Sequence, residues 1–471
     1  MQVIAPASIL AAAGLLLLLL RLFGIKRDGV ALGIALAALA AALVVLFTAR
    51  PDHMGLAFFE RTLTLDTLGL FLQMVVFLGS AVTLLLSWEY VREGGWGLTE
   101  YSSILLFSTV GMSFLMISTD LLSLYVGLEL MALGSYVLAG YARGQSRSFE
   151  AAMKYFVLGA FSSGVLLYGI SFVYGAAGTL NLMDIARALP SPPGRMLLAG
   201  MALLACGMLF KVAAIPFHMW TPDVYQGAPT PITTFFATGP KVAAFAAFLR
   251  IFTTAFGGSA REWTVLIGLA CILTMVGGNL MAIVQNNVKR MLAYASIGSA
   301  GYLLLAILAQ NDFGRKGLIY YLFAYLFANA GAFAVVLYLN VKEYAGESVD
   351  DFKGLNKNHP VVAFAMLVFM LSLTGIPGTA GFIGKFYLFG GAIQGGYIGL
   401  AVVGALMSAV SAFYYFRIIV NMYIAEAPAI TARRSPGIRL ALALCFTGTL
   451  VFGLWPTGII NFLSRGAMLA Q

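Results

Sequence analysis

The chain has 471 residues, of which 61% are hydrophobic and 10% charged, and its 28 basic and 19 acidic residues give a formal net charge of +9. Soluble domains carry about 25% charged residues, so this composition, with a mean hydropathy of +0.92, excludes a soluble enzyme and a disordered chain. It indicates an integral membrane protein. Continuous apolar runs such as 361–373 predict helices, because barrel strands would alternate apolar and polar residues.

Apolar segments long enough to cross a bilayer recur along the whole chain, since a helix needs about 20 such residues. We predict an all-α polytopic membrane protein with about fourteen spans, at 4–22, 29–48, 67–88, 101–119, 121–141, 150–175, 195–228, 231–256, 263–284, 288–310, 315–341, 360–394, 396–424 and 437–463. Span 1 is interpreted as a retained helix rather than a signal peptide, because its basic residues follow the Leu-rich core. The connections are too short for a soluble domain.

The distribution of Lys and Arg between the spans predicts the orientation of the chain. Connections after odd-numbered spans carry fourteen such residues, including Lys289, Arg290 and Arg439, whereas the others, with the C-terminal end, carry nine, including Arg250 and Arg261. Loops rich in Lys and Arg stay in the cytoplasm. Because the number of spans is even, both termini are predicted to be periplasmic in a cell inner membrane.

A few charged side chains fall inside the apolar spans themselves. They are Glu129, Lys154, Lys211, Lys241, Lys385 and Arg417. A charge near the bilayer centre costs about 2.5–3.5 kcal/mol, so the set costs on the order of 15 kcal/mol. A proton or ion pathway that faces the interior of the bundle is the interpretation that accounts for this cost.

The structural alternatives differ from residue to residue. Glu129 lies about 12 Å inside its span at 1.5 Å per residue, and Lys241 lies near the centre of its span, so neither reaches the surface easily. Lys154 lies only one turn inside, and snorkelling to the membrane surface is a serious alternative for it. Arg417 lies among aromatic residues and keeps its charge, which favours a structural pair or a cation–π contact.

Two spans contain helix-breaking residues beside a lysine. Lys211 precedes Pro216 in span 7, and Lys385 follows the Gly-rich segment around Pro377 in span 12. Breaks at membrane depth persist only where protein or water satisfies the freed backbone. Spans 7 and 12 occupy corresponding places in two five-helix blocks, spans 4–8 and 9–13, which predicts inverted repeats with the site at the breaks. Ordinary proline kinks remain the alternative.

Lysine and glutamate suit proton transfer because their pKa values respond strongly to their surroundings. Burial lowers a lysine pKa and raises a glutamate pKa by up to about 3–5 units, and an opposite charge reverses both shifts. An ion pair at about 4 Å is worth about 4 kcal/mol at an effective dielectric of about 20, or about three pKa units. His218, just past Pro216, titrates near neutrality, and a relay role and a structural role stay open for it.

Three stretches resemble the antiporter-like membrane subunits of respiratory complex I, the NADH:quinone oxidoreductase. Residues 217–233, beginning Phe-His-Met-Trp-Thr-Pro-Asp, resemble the broken seventh helix of that family, 373–386 its twelfth helix, and 289–302 the start of its tenth. The resemblance is strong over about 100–425. It implies three N-terminal helices in 1–100, an antiporter-like proton-translocation domain in 101–425, and a C-terminal helix in 426–471. The two repeats would cover 101–256 and 263–424.

The resemblance also implies a role for each intramembrane residue. Glu129 matches the glutamate that pairs with the lysine of the seventh helix, Lys211. Lys241 matches the lysine that links the two half-channels, Lys385 that of the exit half, and Lys154 a lysine of the sixth helix. Two residues depart from the family pattern, since Ser299 stands where many members have His and Gln226 where many have Glu. A histidine relay through the tenth helix is therefore not expected here.

The implied function is proton translocation coupled to electron transfer from NADH to quinone. The resemblance places NADH, FMN, iron–sulfur clusters and quinone on partner subunits, with no cofactor, metal or redox site on this chain. Its expected partners are the other membrane and peripheral subunits of complex I and the lipid bilayer, not nucleic acid.

Two other functions compete with this one. A sodium/proton antiporter subunit of the Mrp type would need acidic and carbonyl oxygen ligands for sodium, whereas the spans offer one clear carboxylate and several lysines. A scaffold that transports nothing would tolerate the replacement of Lys241 or Lys385 by Leu.

Overall fold

The computed structural model describes residues 3–24, 28–48, 57–58, 62–189, 192–340, 346–426, 432–433 and 435–464. Their α-helices, in chain order, are α1 (Ala5–Leu22), α2 (Asp28–Thr48), α3 (Thr67–Glu93), α4 (Leu98–Ile117), α5 (Leu121–Ala139), α6 (Ser146–Ala177), α7 (Leu182–Ala188), α8 (Arg195–Lys211), α9 (Trp220–Gly227), α10 (Thr230–Thr238), α11 (Pro240–Arg250), α12 (Ala260–Ile283), α13 (Val288–Ala309), α14 (Asp312–Leu339), α15 (Leu355–Asn358), α16 (Pro360–Thr374), α17 (Ala380–Gln394), α18 (Ile398–Tyr423), α19 (Pro436–Leu454) and α20 (Thr457–Ser464). The prediction of a helical membrane protein is confirmed.

Twelve helical segments within the described ranges are long and apolar enough to cross a membrane. Predicted span 7 is split into α8 and α9, and predicted span 12 into α16 and α17, so neither is one of those twelve continuous segments. The first break contains Ala213 at φ +60° and the second contains Gly375 and Gly378, both at φ +91°. Glycine adopts such angles without strain, which explains why the second break is rich in it. The total of fourteen and the inverted repeats stay predictions.

Predicted span 8 differs from the single helix expected over 231–256. It consists of α10, α11 and a π-helical turn at Ile251–Ala255, with an interruption at Gly239. Pro240 has no N–H to continue the hydrogen-bond ladder of α10, so a new helix begins there. Lys241 is therefore the second residue of a helix rather than a mid-helix residue.

The core of the bundle lies around α13 and α14. In the most apolar 18-residue window of each, 100% and 94% of the residues are buried, against 33% for α1 and for α2. The helix α14 packs against α10, α16, α17 and α19, and α13 against α9, α12 and α17. Because α13 and α14 face protein on every side, their polar side chains must find partners inside the bundle.

Small elements occupy the predicted connections. The antiparallel strands β1 (Ala57–Phe58) and β2 (Leu63–Thr64) pair over two residues each, and α7, α15 and a 3₁₀ turn at Val349–Phe352 lie in the other long connections. Among the described residues these two strands are the exception to an all-helical fold.

Two cations that were predicted in loops are instead buried. Arg250 ends α11 and is 1% exposed, and its guanidinium donates to both carboxylate oxygens of Asp66 at 2.7 and 2.9 Å and to the carbonyl of Met116 at 2.9 Å. Lys289, in the first turn of α13, is 2% exposed. Both residues lie inside the predicted spans 231–256 and 288–310, so counting them with the connections is wrong, and hydrogen-bond partners inside the protein allow their burial.

Candidate functional site

Lys241 lies in the interior of the bundle at the start of α11. It is 5% exposed, and its ammonium donates to the carbonyl oxygen of Ser296 and, at 2.8 Å, to the hydroxyl of the same residue. The Tyr325 ring lies 5.0 Å from the amine, in cation–π geometry. Among the described residues no carboxylate forms an ion pair within 4.0 Å with Lys241.

Hydroxyl groups continue from this lysine along α13 and α14. The Tyr321 hydroxyl donates to Ser299 at 3.1 Å, and the Tyr321 and Tyr325 rings lie 5.9 Å apart. Ser299 donates in turn to the Ala295 carbonyl at 2.9 Å. At the position where many family members have His, this chain therefore has a hydroxyl pair.

A second polar group lies between α12, α13 and α18. The Asn279 amide donates to the Tyr302 hydroxyl at 3.1 Å, and the Tyr414 hydroxyl donates to the Asn279 oxygen at 2.9 Å. All three side chains are 2% exposed or less. The Tyr302 ring lies 5.1 Å from the amine of Lys385, so this group leads to the second buried lysine.

Lys385 binds the backbone freed by the second helix break. Its ammonium donates to the carbonyls of Leu373 and Thr374 at 2.9 and 2.8 Å and to the hydroxyl of Ser408 at 2.8 Å. These carbonyls are the last of α16, the negative end of its dipole. The side chain is 3% exposed. Lys385, which the sequence places beside the break, thus donates to the backbone carbonyls that the break leaves free.

The first break brings Glu129 and Lys211 into the same region without joining them. Lys211 ends α8 and donates to the Ser163 hydroxyl at 3.2 Å. The Glu129 carboxylate lies within electrostatic range of Lys211, but they are not among the ion pairs within 4.0 Å that the described residues form. The Glu129 Oε1 atom is buried with no hydrogen-bond partner among the described residues. The implied pair is therefore separated in this conformation.

Further polar atoms around the first break are also buried without a protein partner in the described part of the chain. They are His218 Nδ1, Tyr136 Oη, Ser162 Oγ and Thr221 Oγ1. Buried polar groups in proteins bind either protein or ordered water. His218 lies in the break itself, five residues after Ala213, which places it beside this polar region.

Lys154 lies apart from the other lysines. It forms ion pairs of 2.7 Å with Glu150 and with Asp223, and its side chain is 42% exposed. Asp223, on α9, also accepts from Arg290 of α13 at 2.6 Å. Asp223 is not predicted from the sequence as a site residue, because an acidic residue near a loop is ordinary. The network joins α6, α9 and α13 at the bundle surface.

A polar cavity of about 490 Å³ lies at the same end of the bundle as the ion-pair network of Lys154, Asp223 and Arg290. Lys289 and Glu347 form an ion pair of 3.3 Å in its wall, and Lys289 also donates to the carbonyl of Ala228 at 2.8 Å. Gln226 lines the cavity as well. Lys289 and Ser296 are seven residues apart on α13 and so lie on one face of that helix. The cavity therefore lies on the face of α13 that also carries Ser296, the hydrogen-bond partner of Lys241.

Arg417 binds the backbone at the end of α12. Its guanidinium donates to the carbonyl of Ile283 at 3.3 Å and to that of Gln285, at the end of α12. These contacts are to backbone carbonyls, and the structural pair or cation–π contact that the sequence favours stays a prediction. Among the described residues no three or more His, Cys, Asp or Glu side chains are grouped so as to hold a metal ion.

Comparisons with known proteins agree on the family. The family model described as "NADH:quinone oxidoreductase/Mrp antiporter, TM" matches residues 118–411. NADH-quinone oxidoreductase subunit N of Trichlorobacter lovleyi is 42% identical over an alignment that covers 100% of this chain and 97% of the relative.

Solved structures share the whole fold. A chain of respiratory complex I from Thermus thermophilus aligns with a TM-score of 0.84 and 34% identity over 98% of this chain and 100% of its own length. A chain of the Mrp complex from Dietzia sp. aligns with a TM-score of 0.86 over 98% of this chain and 96% of its own, but at 21% identity it shows the fold alone.

Within the family, the sequence Gln-Gly-Ala-Pro-Thr-Pro at 226–231, followed by 238–245, predicts the subunit N branch, and the relatives confirm this prediction. The chain belongs to the NADH:quinone oxidoreductase/Mrp antiporter family of membrane subunits, in the branch of subunit N of NADH-quinone oxidoreductase.

Proposed function

We propose that the chain is a proton-translocating membrane subunit of NADH:quinone oxidoreductase. Electron transfer from NADH to quinone would take place on partner subunits, which would carry the FMN and the iron–sulfur clusters. The chain would lie in the cell inner membrane with both termini periplasmic. The subunit N relatives support the assignment to this complex, and the positive-inside distribution of Lys and Arg supports the orientation.

The observation that carries the proposal is the environment of Lys241 and Lys385. Both amines are enclosed by carbonyl oxygens, hydroxyls and tyrosine rings, and among the described residues no carboxylate pairs with either. A lysine in such surroundings exchanges between its charged and neutral forms far more readily than an exposed one. The hydroxyls of Ser299, Tyr321 and Tyr302 supply donors and acceptors between the two amines.

Glu129 and Lys211 would act as the switch of the first half. As long as their side chains stay apart, the carboxylate does not stabilise the ammonium of Lys211, and their approach would favour it by several kcal/mol in a poorly solvated site. His218 would take part as a neighbouring acceptor in the break. The polar cavity beside Lys289 would admit protons towards Ser296 and Lys241. We also propose the division into 1–100, 101–425 and 426–471 as functional units.

The proposal is tested with inverted membrane vesicles that carry the whole complex. Lys241→Ala and Glu129→Ala should abolish or strongly reduce NADH-driven acidification, measured by fluorescence quenching, while the complex still assembles. The controls are Lys353→Ala and Glu426→Ala, because these side chains are 41% and 88% exposed, form surface ion pairs and should leave pumping unchanged. Normal pumping by Lys241→Ala at normal protein levels would contradict the proposal. Sodium-dependent antiport by the isolated chain would favour the Mrp-type alternative.

A further inference from the structure

An apolar groove of about 650 Å³ lies between the first halves of α16 and α19. Val361 and Phe364 line it from α16, and Leu442 and Phe446 from α19. The Phe364 and Phe446 rings lie 5.8 Å apart across it. Val361 is 80% exposed and Phe364 50% exposed, so the groove opens to the outside of the bundle at membrane depth.

One cation lies at the end of this groove where both helices begin. Arg439, in the first turn of α19, is exposed, and its side chain forms no hydrogen bond or ion pair among the described residues. A cation in a first turn lies at the positive end of the helix dipole, which is unfavourable unless an anion is bound there. The N-terminus of α16 opens at the same end, since Pro360 also lines the groove.

The dimensions of the groove fit a lipid chain better than a helix of another protein. Its lining on α19 runs from Arg439 to Thr447, nine residues, which is about 12 Å along the helix axis. One leaflet contributes about 15 Å of a hydrocarbon core of about 30 Å, whereas a transmembrane helix of a partner would need a surface that crosses both leaflets. A basic residue at the mouth of an apolar groove between membrane helices is suited to a phosphate headgroup.

We propose that the α16–α19 groove is a binding site for an anionic phospholipid. An acyl chain lies along Val361, Phe364 and Phe446, and the phosphate binds the Arg439 guanidinium beside the two helix N-termini. The charge of Arg439 and the two helix N-termini select an anionic lipid over a zwitterionic one. The site lies on the outer surface of the bundle and is independent of the proton-transfer proposal.

The first test removes the charge. The intact complex is purified in mild detergent with Arg439→Gln or, as a matched control, Arg261→Gln, which lies in the first turn of α12 and is also exposed. Each sample is exchanged into nanodiscs of phosphatidylglycerol or of phosphatidylcholine, stripped with detergent, and its retained phospholipid is counted by mass spectrometry. Arg439→Gln should retain about one phosphatidylglycerol fewer per chain than the control, with no difference for phosphatidylcholine.

The second test fills the groove but keeps the arginine. Ala443→Trp places an indole among the lining residues, and Ala40→Trp on α2 is the control at an exposed alanine elsewhere on the bundle. Ala443→Trp should lose the same lipid, and a density map of the wild-type complex should show an acyl chain in the groove. Equal lipid retention by Arg439→Gln and Arg261→Gln, or a partner helix seated in the groove, would overturn the proposal.

Discussion

The two helix breaks satisfy their polar groups in opposite ways. At the second break, Lys385 donates to the last two carbonyls of α16 and to Ser408, so the amine and the broken backbone satisfy each other. At the first break, Lys211 has one hydrogen bond, to Ser163, and the nearby atoms Glu129 Oε1 and His218 Nδ1 have no partner among the described residues.

This difference separates the part of the pathway that can rearrange from the part that is fixed. A side chain held by three short hydrogen bonds moves only at a cost of about 0.5–1.5 kcal/mol for each bond. A loosely held amine and an unpaired carboxylate can approach each other or part with little rearrangement of the backbone. The first break therefore has the properties of a conformational switch. The second has those of a proton-binding site with a fixed geometry.

The largest expected effect comes from the matched pair Lys385→Met and Lys211→Met. Both changes remove an amine at a helix break, but only the first leaves a carbonyl at the end of α16 without a donor among the described residues. That carbonyl is Leu373's, because the Thr374 carbonyl keeps its bond from the Ser408 hydroxyl at 3.0 Å. An unpaired buried carbonyl costs about 1–3 kcal/mol, so Lys385→Met should be the less stable variant by about that amount. Thermal unfolding of the purified complex, followed by loss of this subunit, measures the difference. Equal stability would show that the two breaks do not differ in this way.

An intermediate effect is expected from Ser299→Ala. Loss of its hydrogen bond with Tyr321 should cost about 0.5–1.5 kcal/mol and slow proton translocation without abolishing it. The control is Ser103→Ala, because Ser103 is a buried serine of α4 whose hydroxyl donates to the Gly14 carbonyl of the peripheral helix α1 at 2.8 Å. The two variants should lose similar stability, and only Ser299→Ala should pump more slowly. A similar loss of pumping in both would remove the hydroxyl series from the pathway.

The smallest effect is expected from Asp223→Asn, which breaks the ion pairs with Lys154 and Arg290. Because Asp223 is 32% exposed and Lys154 42%, each pair should contribute about 1 kcal/mol or less, and the contribution should shrink in high salt. Vesicle pumping should stay close to that of Asp184→Asn, which breaks an exposed pair with Arg187. Abolished pumping would instead place Lys154 in the pathway.

The charged residues of the site could be predicted from the sequence where they fall within apolar spans. Glu129, Lys241 and Lys385 stand out in apolar spans, and the breaks at Pro216 and Pro377 follow from the chemistry of proline. The partners of these residues could not be predicted.

Partners were missed because they depend on contacts between distant parts of the chain. Lys241 and Ser296 are 55 residues apart, and nothing local in the sequence links them. Glu347 and Asp223 escaped notice because acidic residues near loops are common. The interruption at Gly239 was missed because the hydropathy of predicted span 8 is continuous across it.

Replacement of Lys241 by arginine tests most directly whether this amine carries protons. Arginine keeps a positive charge at the site but does not release a proton under physiological conditions. Proton uptake and NADH oxidation are measured in the same vesicles for Lys241→Arg and for the exposed control Lys353→Arg. We expect the Lys241 variant to lose proton uptake while the complex remains assembled and the control pumps normally. Full proton uptake by assembled Lys241→Arg would contradict the account, because a fixed charge would then suffice at this position.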